Sequence, residues 1–391
     1  MVDYKKIEDV CQNIFAGGTP NTKQEEYYDG NIPWIRSGEV DFNVIRTAER
    51  NISELGYKNS SAKLIRKGSV VMAMTGATVA KSAIVEFETS ANQSVCALET
   101  NEDVISYRFL YYVLAKNYFT IKSSAQGALT SLNLSMIKQI EIPVPTLNKQ
   151  KEIVRILDSF TSMITNLETE LASRQKQYEH YRNELLTFDD NDESVEWKTL
   201  GEIGTIVRGN GLQKTDFSEE GVGCVHYGQI YTRLGFSIEK TLTFVPGELA
   251  EKLTQVESGN LIIACTSENI EDVCKSVVWL GSENIVTGGH ACVFKHNENP
   301  KYVGYCFMTN DFFNQKKKYA YGAKVIDIKT EKLALIKIPV PKRSLQDDIV
   351  EKLDTFESLI TNIKQELDAR KKQYEYYREQ LLTFRPSPAL P

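Results

Sequence analysis

The chain has 391 residues, 41% of them hydrophobic, and 46 lysines and arginines against 52 aspartates and glutamates for a formal net charge of −6. That length predicts two or three domains, and no apolar run approaches membrane-spanning length. Seven scattered cysteines, an odd number, fit reduced thiols in a cytoplasm rather than a disulfide framework, and MVDYKKIEDV lacks the apolar core of a signal peptide.

The first half opens with an amphipathic stretch from Tyr4 to Glu8, leading into a Gly-rich segment, FAGGTP, at 15–20. Strand-like IPWIRSGEV follows at 32–40. From Gly68 a β-rich run, SVVMAMTGATVAKSAIV, turns on small residues and restarts at Lys81. SVCALE at 94–99 predicts another strand, and the aromatic-rich stretch 107–119 predicts a helix. Gly127-Ala128 and a short helix close the domain. Short strands mixed with few helices predict an α/β or mixed α+β fold with a twisted mixed sheet.

Ile142 to Phe188 then reads IPVP followed by a long helix. Proline lacks the amide and restrains its predecessor, so the helix starts a few residues later and runs about 40 residues, or roughly 60 Å. Its apolar positions are Ile153, Leu157, Phe160, Ile164, Leu167, Leu171, Tyr178, Tyr181, Leu185 and Phe188. They alternate steps of four and three, a mean period of about 3.5 that marks a coiled-coil seam. An acidic linker, DDNDESV at 189–195, ends this half.

The second half repeats the order. An amphipathic stretch from Trp197 leads to VRGNG at 207–211, then strand-like CVHYGQI at 224–230. The run after Gly259, NLIIACTSENIEDVCKSVVW, turns and restarts at Lys275. A strand at 291–295, an aromatic helix at 301–315, Gly322-Ala323 and a short helix follow. The halves match in pattern, not in residues. The helices differ in this respect: Ile338–Phe384 repeats Ile142–Phe188 at a constant offset of 196 residues, with 27 of 47 positions identical. The repeated seam is Ile349, Leu353, Phe356, Ile360, Ile363, Leu367, Tyr374, Tyr377, Leu381 and Phe384. A tandem duplication with two such helices predicts a pseudo-twofold, antiparallel pair. Arg174 and Arg370 take seam positions, where they fix register or snorkel over the neighbouring tyrosines. These boundaries give domains at 1–145 and 196–341, helices at 146–188 and 342–384, and a frayed tail at 385–391.

The chemistry of an enzyme is sparse. No nucleotide-binding glycine motif and no Asp/Asn-Pro-Pro-aromatic loop of an adenine methyltransferase is present. Thr75 to Ser82 superficially resembles a phosphate loop, but its end positions are Thr75 and Ala80 where that loop needs glycine. Cys224-x-His226 and His290-x-Cys292 could bracket a zinc ion, although structural zinc sites show closer pairing, and core thiols are the simpler reading. His180 and His296 read as solvated surface residues. The Lys316–Lys318 run reads as a cationic helix C-terminus.

Two variable globular domains alternating with two similar long helices, with GGTP, IPWI-x-x-GE, GAT-x-x-AK and IPVP-x-x-x-x-Q elements, resemble the specificity subunit of a type I restriction–modification system. The resemblance spans the chain apart from linker and tail. It implies two target recognition domains, each reading one half of a split site in double-stranded DNA, separated by helices that dock two modification (methyltransferase) subunits; restriction subunits join that core. The chain itself would be non-catalytic and hold no cofactor, with S-adenosylmethionine, ATP and magnesium on the partners. Polar and basic loop residues are then the candidate DNA contacts, since Arg, Asn and Gln can bond bidentately to base edges. They are Arg36, Ser37, Thr78, Lys81 and Gln126 in the first domain. In the second they are Arg208, Asn210, Gln213, Lys214, Gln229, Arg233, Asn269 and Lys324. RGNG in place of GGTP, and CVHYGQI in place of IPWIRSGEV, depart from the pattern. The alternatives are the recognition region of a self-contained restriction or modification enzyme, and a coiled-coil scaffold without a DNA role.

Overall fold

The chain is described by a computed structural model over residues 2–125, 131–189 and 193–385. It divides into two compact units, Met1–Glu168 with Gln365–Pro391, and Thr169–Lys364. Each unit holds one globular domain, the N-terminal half of the long helix that follows it, and the C-terminal half of the other long helix.

In the first domain a five-stranded mixed sheet runs in the order Cys11–Ala16, Val95–Thr100, Ser69–Ala73, Ser82–Val85, Val44–Ile45. Strand Ser69–Ala73 is buried throughout and splits its residues by the strand's period of two. Val70 and Met72 join the cluster under helix Tyr107–Lys116, and Val71 and Ala73 join the cluster on the opposite face. A three-stranded sheet, Arg50–Ile52, Tyr28–Ile35, Ser90–Ala91, covers that second face. The IPVP residues form strand Glu141–Val144, which pairs with Asp3–Lys6 before the helix begins.

The second domain has the same order: Gly204–Arg208, Ala291–His296, Leu261–Ala264, Ser276–Trp279, Ser237–Ile238. Its smaller sheet orders Thr243–Val245, Val222–Val225, Ile285–Thr287, Thr254–Val256, and Val195–Thr199 pairs with Lys337–Pro341. The mixed α/β class expected from the sequence is therefore present twice, and the fold repeats where the residues do not. Two local expectations are corrected: of IPWIRSGEV only residues 32–35 are strand, and Ser37–Glu39 is a 3-10 turn. Of CVHYGQI, only Cys224 and Val225 are strand; Tyr227–Thr232 is a helix, because the His226 side chain accepts from Gly228 N and Gln229 reaches back to His226 N.

The long helices are Leu147–Leu185 and Arg343–Leu382, of 39 and 40 residues. Within each unit the two halves run antiparallel. Phe160 stacks on Tyr377 at 5.4 Å in the first, and Tyr181 on Phe356 at 5.3 Å in the second, both with rings 24° apart. The seam does more than pair helices. Ile153 and Leu157 lie in the first domain's core with Tyr374, Leu381 and Phe384 packed there; Ile349, Leu353, Ile360 and Tyr178 lie in the second domain's core, with Leu171 and Phe356 against it. Leu367 is buried and Ile164 partly so. Arg174 and Arg370 do not cover tyrosines: Arg174 pairs with Glu170 and Gln177, and Arg370 with Glu366 and Gln373. The guanidiniums over Tyr178 and Tyr374 are those of Arg182 and Arg378.

Candidate nucleic-acid interface

The loops that carry the candidate contacts leave the sheets at equivalent places in the two domains. The first is the Gly-rich loop. Gly17 N donates to Val95 O, and a Cβ on Gly17 would lie 2.2 Å from Ala91 O. Gly209 N donates to Ala291 O, and its Cβ would lie 2.3 Å from Gly288 O. Only glycine permits that approach, so RGNG keeps the packing role of GGTP.

The second is the loop after the central strand of the smaller sheet. Arg36 N donates to the Glu39 carboxylate at 2.8 Å, and His226 N donates to Gln229 Oε1 at 2.9 Å. RSGE and HYGQ are thus one capped turn in two spellings. The third is the turn between the paired strands of the larger sheet. Ala80 and Cys274 both sit at φ 67°. Ala80 N donates to Ala73 O and Cys274 N to Ala264 O, each at 2.8 Å. A left-handed non-glycine residue costs on the order of 1–2 kcal/mol, and such strain concentrates at functional loops.

In the first domain these loops bring four candidates together. Thr78 Oγ1 donates to Ser37 O at 2.7 Å, joining the turn to the Arg36 loop. Arg36 pairs with Glu49 and Lys81 with Asp41, each at 2.5 Å. Lys81 Nζ also lies 5.7 Å from the Phe42 ring centre. Gln126 lies outside the described residues.

In the second domain two candidates have partners within the domain. The Arg208 guanidinium grips Asp327 at 2.8 and 3.3 Å and donates to Ile328 O at 3.1 Å. Gln229 is 8% exposed and spends its amide on His226 N and Thr243 Oγ1. Asn210, Gln213, Lys214, Arg233, Asn269 and Lys324 face solvent. Strand pair Thr266–Ser267 with Ile326–Asp327 sets the Asn269 turn beside the Lys324 loop, and Asp327 ties both to Arg208. Asn269 itself is folded onto Asp272 by two hydrogen bonds.

Lys316 lies in the last turn of helix Asn310–Tyr319 with Lys317 and Lys318, but its ammonium turns inward. It is 5% exposed and donates to Glu271 O at 2.8 Å and Val273 O at 2.7 Å, bracing the Asn269 turn; burial pulls its pKa down. The spacing carried the signal: Lys316 lies four residues after buried Phe312, on the same helix face. His296 is likewise not solvated: both ring nitrogens are buried, and that burial lowers its pKa to about 4. The glutamines of IPVP-x-x-x-x-Q are fully buried. Gln150 accepts from Ser106 N and donates to Val104 O and Pro145 O; Gln346 accepts from Asn299 N and donates to Pro341 O and Glu298. They lock each helix start to its domain.

The four zinc-bracket residues go to different neighbours. Cys224 meets Thr243, His290 meets Thr266, and Cys292 lies 2.6 Å from Cys265. No group of three or more His, Cys, Asp or Glu placed to hold a metal occurs among the described residues.

A duplicated mixed α/β domain with a long helix after each copy defines the class: a two-domain, two-helix protein with variable loops on a repeated scaffold. The family model for the type I restriction modification DNA specificity domain matches residues 1–174 and 193–369, and the chain belongs to that family. The specificity subunit of the Escherichia coli type I restriction enzyme EcoR124I/EcoR124II is 32% identical, over 94% of this chain and 90% of that protein. A putative type I specificity subunit of Haemophilus influenzae is 26% identical over 98% and 96%. The crystal structure of the type I restriction-modification S subunit from M. genitalium superposes with a TM-score of 0.62 at 15% identity, covering 98% of this chain and 97% of that one. No helix among the described residues is long and apolar enough to cross a membrane.

Proposed function

We propose that each globular domain reads one half of a split site in double-stranded DNA, that the long helices set the gap between the half-sites, and that they offer two near-equivalent surfaces to two modification subunits. Restriction subunits join that core. In this reading the chain works in the cytoplasm and carries no catalytic step. Adenine methylation and cleavage belong to the partners, which bring S-adenosylmethionine, ATP and magnesium.

The observation that carries the reading is the contrast between scaffold and loops. The scaffold is kept: the same order in the larger sheet, the same turns at Ala80 and Cys274, the same stacked pair in each unit. The rim residues differ, as half-sites of different sequence require. Base-edge readout needs such side-chain variety on a constant support.

The test is the methylated motif of cells carrying the chain and its partners, read by methylome sequencing. A split motif with a fixed gap is expected. Deleting one heptad from each helix is expected to change the gap and leave both half-sites intact. A continuous motif, or an unchanged gap, overturns the reading. Methylation or cutting by the purified chain alone would favour a self-contained enzyme, and a complex that protects no defined sequence would favour a scaffold.

A further inference from the structure

We propose that Asp41 and Glu49 are electrostatic latches of the first domain: each carboxylate holds one rim cation until DNA phosphate displaces it, and so suppresses binding to arbitrary sequence. The inference rests on the DNA-reading function above and adds specificity-determining residues to it.

Lys81 and Arg36 are the two cations that the rim loops of this domain bring together with Ser37 and Thr78, and both are neutralised from within. The latching side chains are the exposed partners. Asp41 is 58% and Glu49 63% exposed, against 23% for Lys81 and 40% for Arg36. Exposed pairs of this kind are worth only about 0–1 kcal/mol, so a phosphate of the same charge can take either cation at little cost.

The loop does not depend on the latches for its shape. Tyr111 Oη donates to Phe42 O at 2.6 Å, Asn43 Nδ2 to Glu39 O at 3.1 Å, and Asp41 N to Asn43 Oδ1 at 3.0 Å. The Glu39 carboxylate bridges Arg36 N and Glu49 N. The Asp41 and Glu49 side chains can therefore lose their charge while the loop stays in place. The second domain is arranged differently. Among the described residues, Lys214, Arg233, Lys275 and Lys324 face solvent without an ion pair. Arg208, held by Asp327, is the exception among the candidate cations of that domain.

The latch has a thermodynamic signature. When Lys81 moves to phosphate, Asp41 is left charged and is screened by solution cations. That screening offsets part of the counterion release from the DNA, to which each phosphate contact ordinarily contributes about 0.9 of salt slope. Asp41→Asn removes the offset.

The experiment uses the full chain assembled with its modification subunits. Duplexes carrying the mapped motif or a scrambled sequence are titrated across a range of salt, with wild type, Asp41→Asn, Lys81→Met and the double variant; Glu49→Gln repeats the test at Arg36. Asp41→Asn is expected to bind scrambled DNA several-fold more tightly, to steepen the salt slope by up to about 0.9, and to lower discrimination. In the Lys81→Met background it is expected to do nothing. An unchanged slope and discrimination in both latch variants overturns the proposal, as does an equal effect without Lys81. A wild-type complex with no sequence preference overturns the DNA-reading function, and the latch with it.

Discussion

His296 shows how far a single residue type can mislead. It closes strand Ala291–His296, with its ring 4.9 Å from Phe294. Burial lowers its pKa to about 4, Glu298 pulls it up, and Arg343 adds to the lowering. The unfolded chain has a histidine near the usual ~6.5. The depressed folded value means that the unfolded state binds the proton first. Stability is full above about 6.5 and is lost as pH falls toward 4, by about 2 kcal/mol at pH 5. His296→Leu should therefore narrow the gap between urea-unfolding free energies at pH 7 and pH 5, with wild type measured beside it. An identical pH dependence in the two proteins would contradict the buried, neutral ring. Residue types alone could not show this, nor that Arg208 and Gln229 are spent internally. Their partners Asp327 and Thr243 are 119 and 14 residues away. Lys81 and Arg36 were legible as exposed-loop cations, but the carboxylates that hold them come from other loop positions with no motif to mark them.

At the level of elements, the helices were the most legible part, because a 3.5-residue seam needs no knowledge of tertiary partners. The periodicity could not show that the seam serves two masters. Its first positions, such as Ile153 and Leu157, belong to a domain core, and Phe160 meets the other helix. The near-equivalence of the two helix surfaces has one exception. Exposed Lys151 and Arg155 of the first helix become exposed Asp347 and Glu351 in the second, while Met163 and Leu359 stay apolar and exposed. Identical partners meeting this stripe would face opposite charge on the two copies. Calorimetric titration of the modification subunit should then resolve two classes of site that respond oppositely to salt, since exposed charges are screened. Asp347→Lys combined with Glu351→Arg should merge them into one class. A single class already in wild type would place the stripe outside the docking surface.

For the whole molecule the charge inventory decides how the protein meets DNA. Residues 1–145 carry 15 basic and 16 acidic side chains, and residues 196–341 carry 16 and 17. Non-specific affinity is almost wholly a matter of cations placed on phosphates, so near-neutral domains have little of it to spend. Several of the cations present are also engaged: Arg36, Lys81, Arg108 and Arg208 are all in ion pairs. The chain alone should bind DNA weakly, with a shallow slope of log affinity against log salt. Adding the modification subunits should steepen that slope, because the phosphate contacts come with them. Titrating one duplex with the chain alone and with the assembled complex, at several salt concentrations, separates the contributions directly. A slope for the isolated chain as steep as that of the complex would mean that its own cations supply the phosphate contacts. The internal ion pairs of the first domain would then have to open without help from a partner.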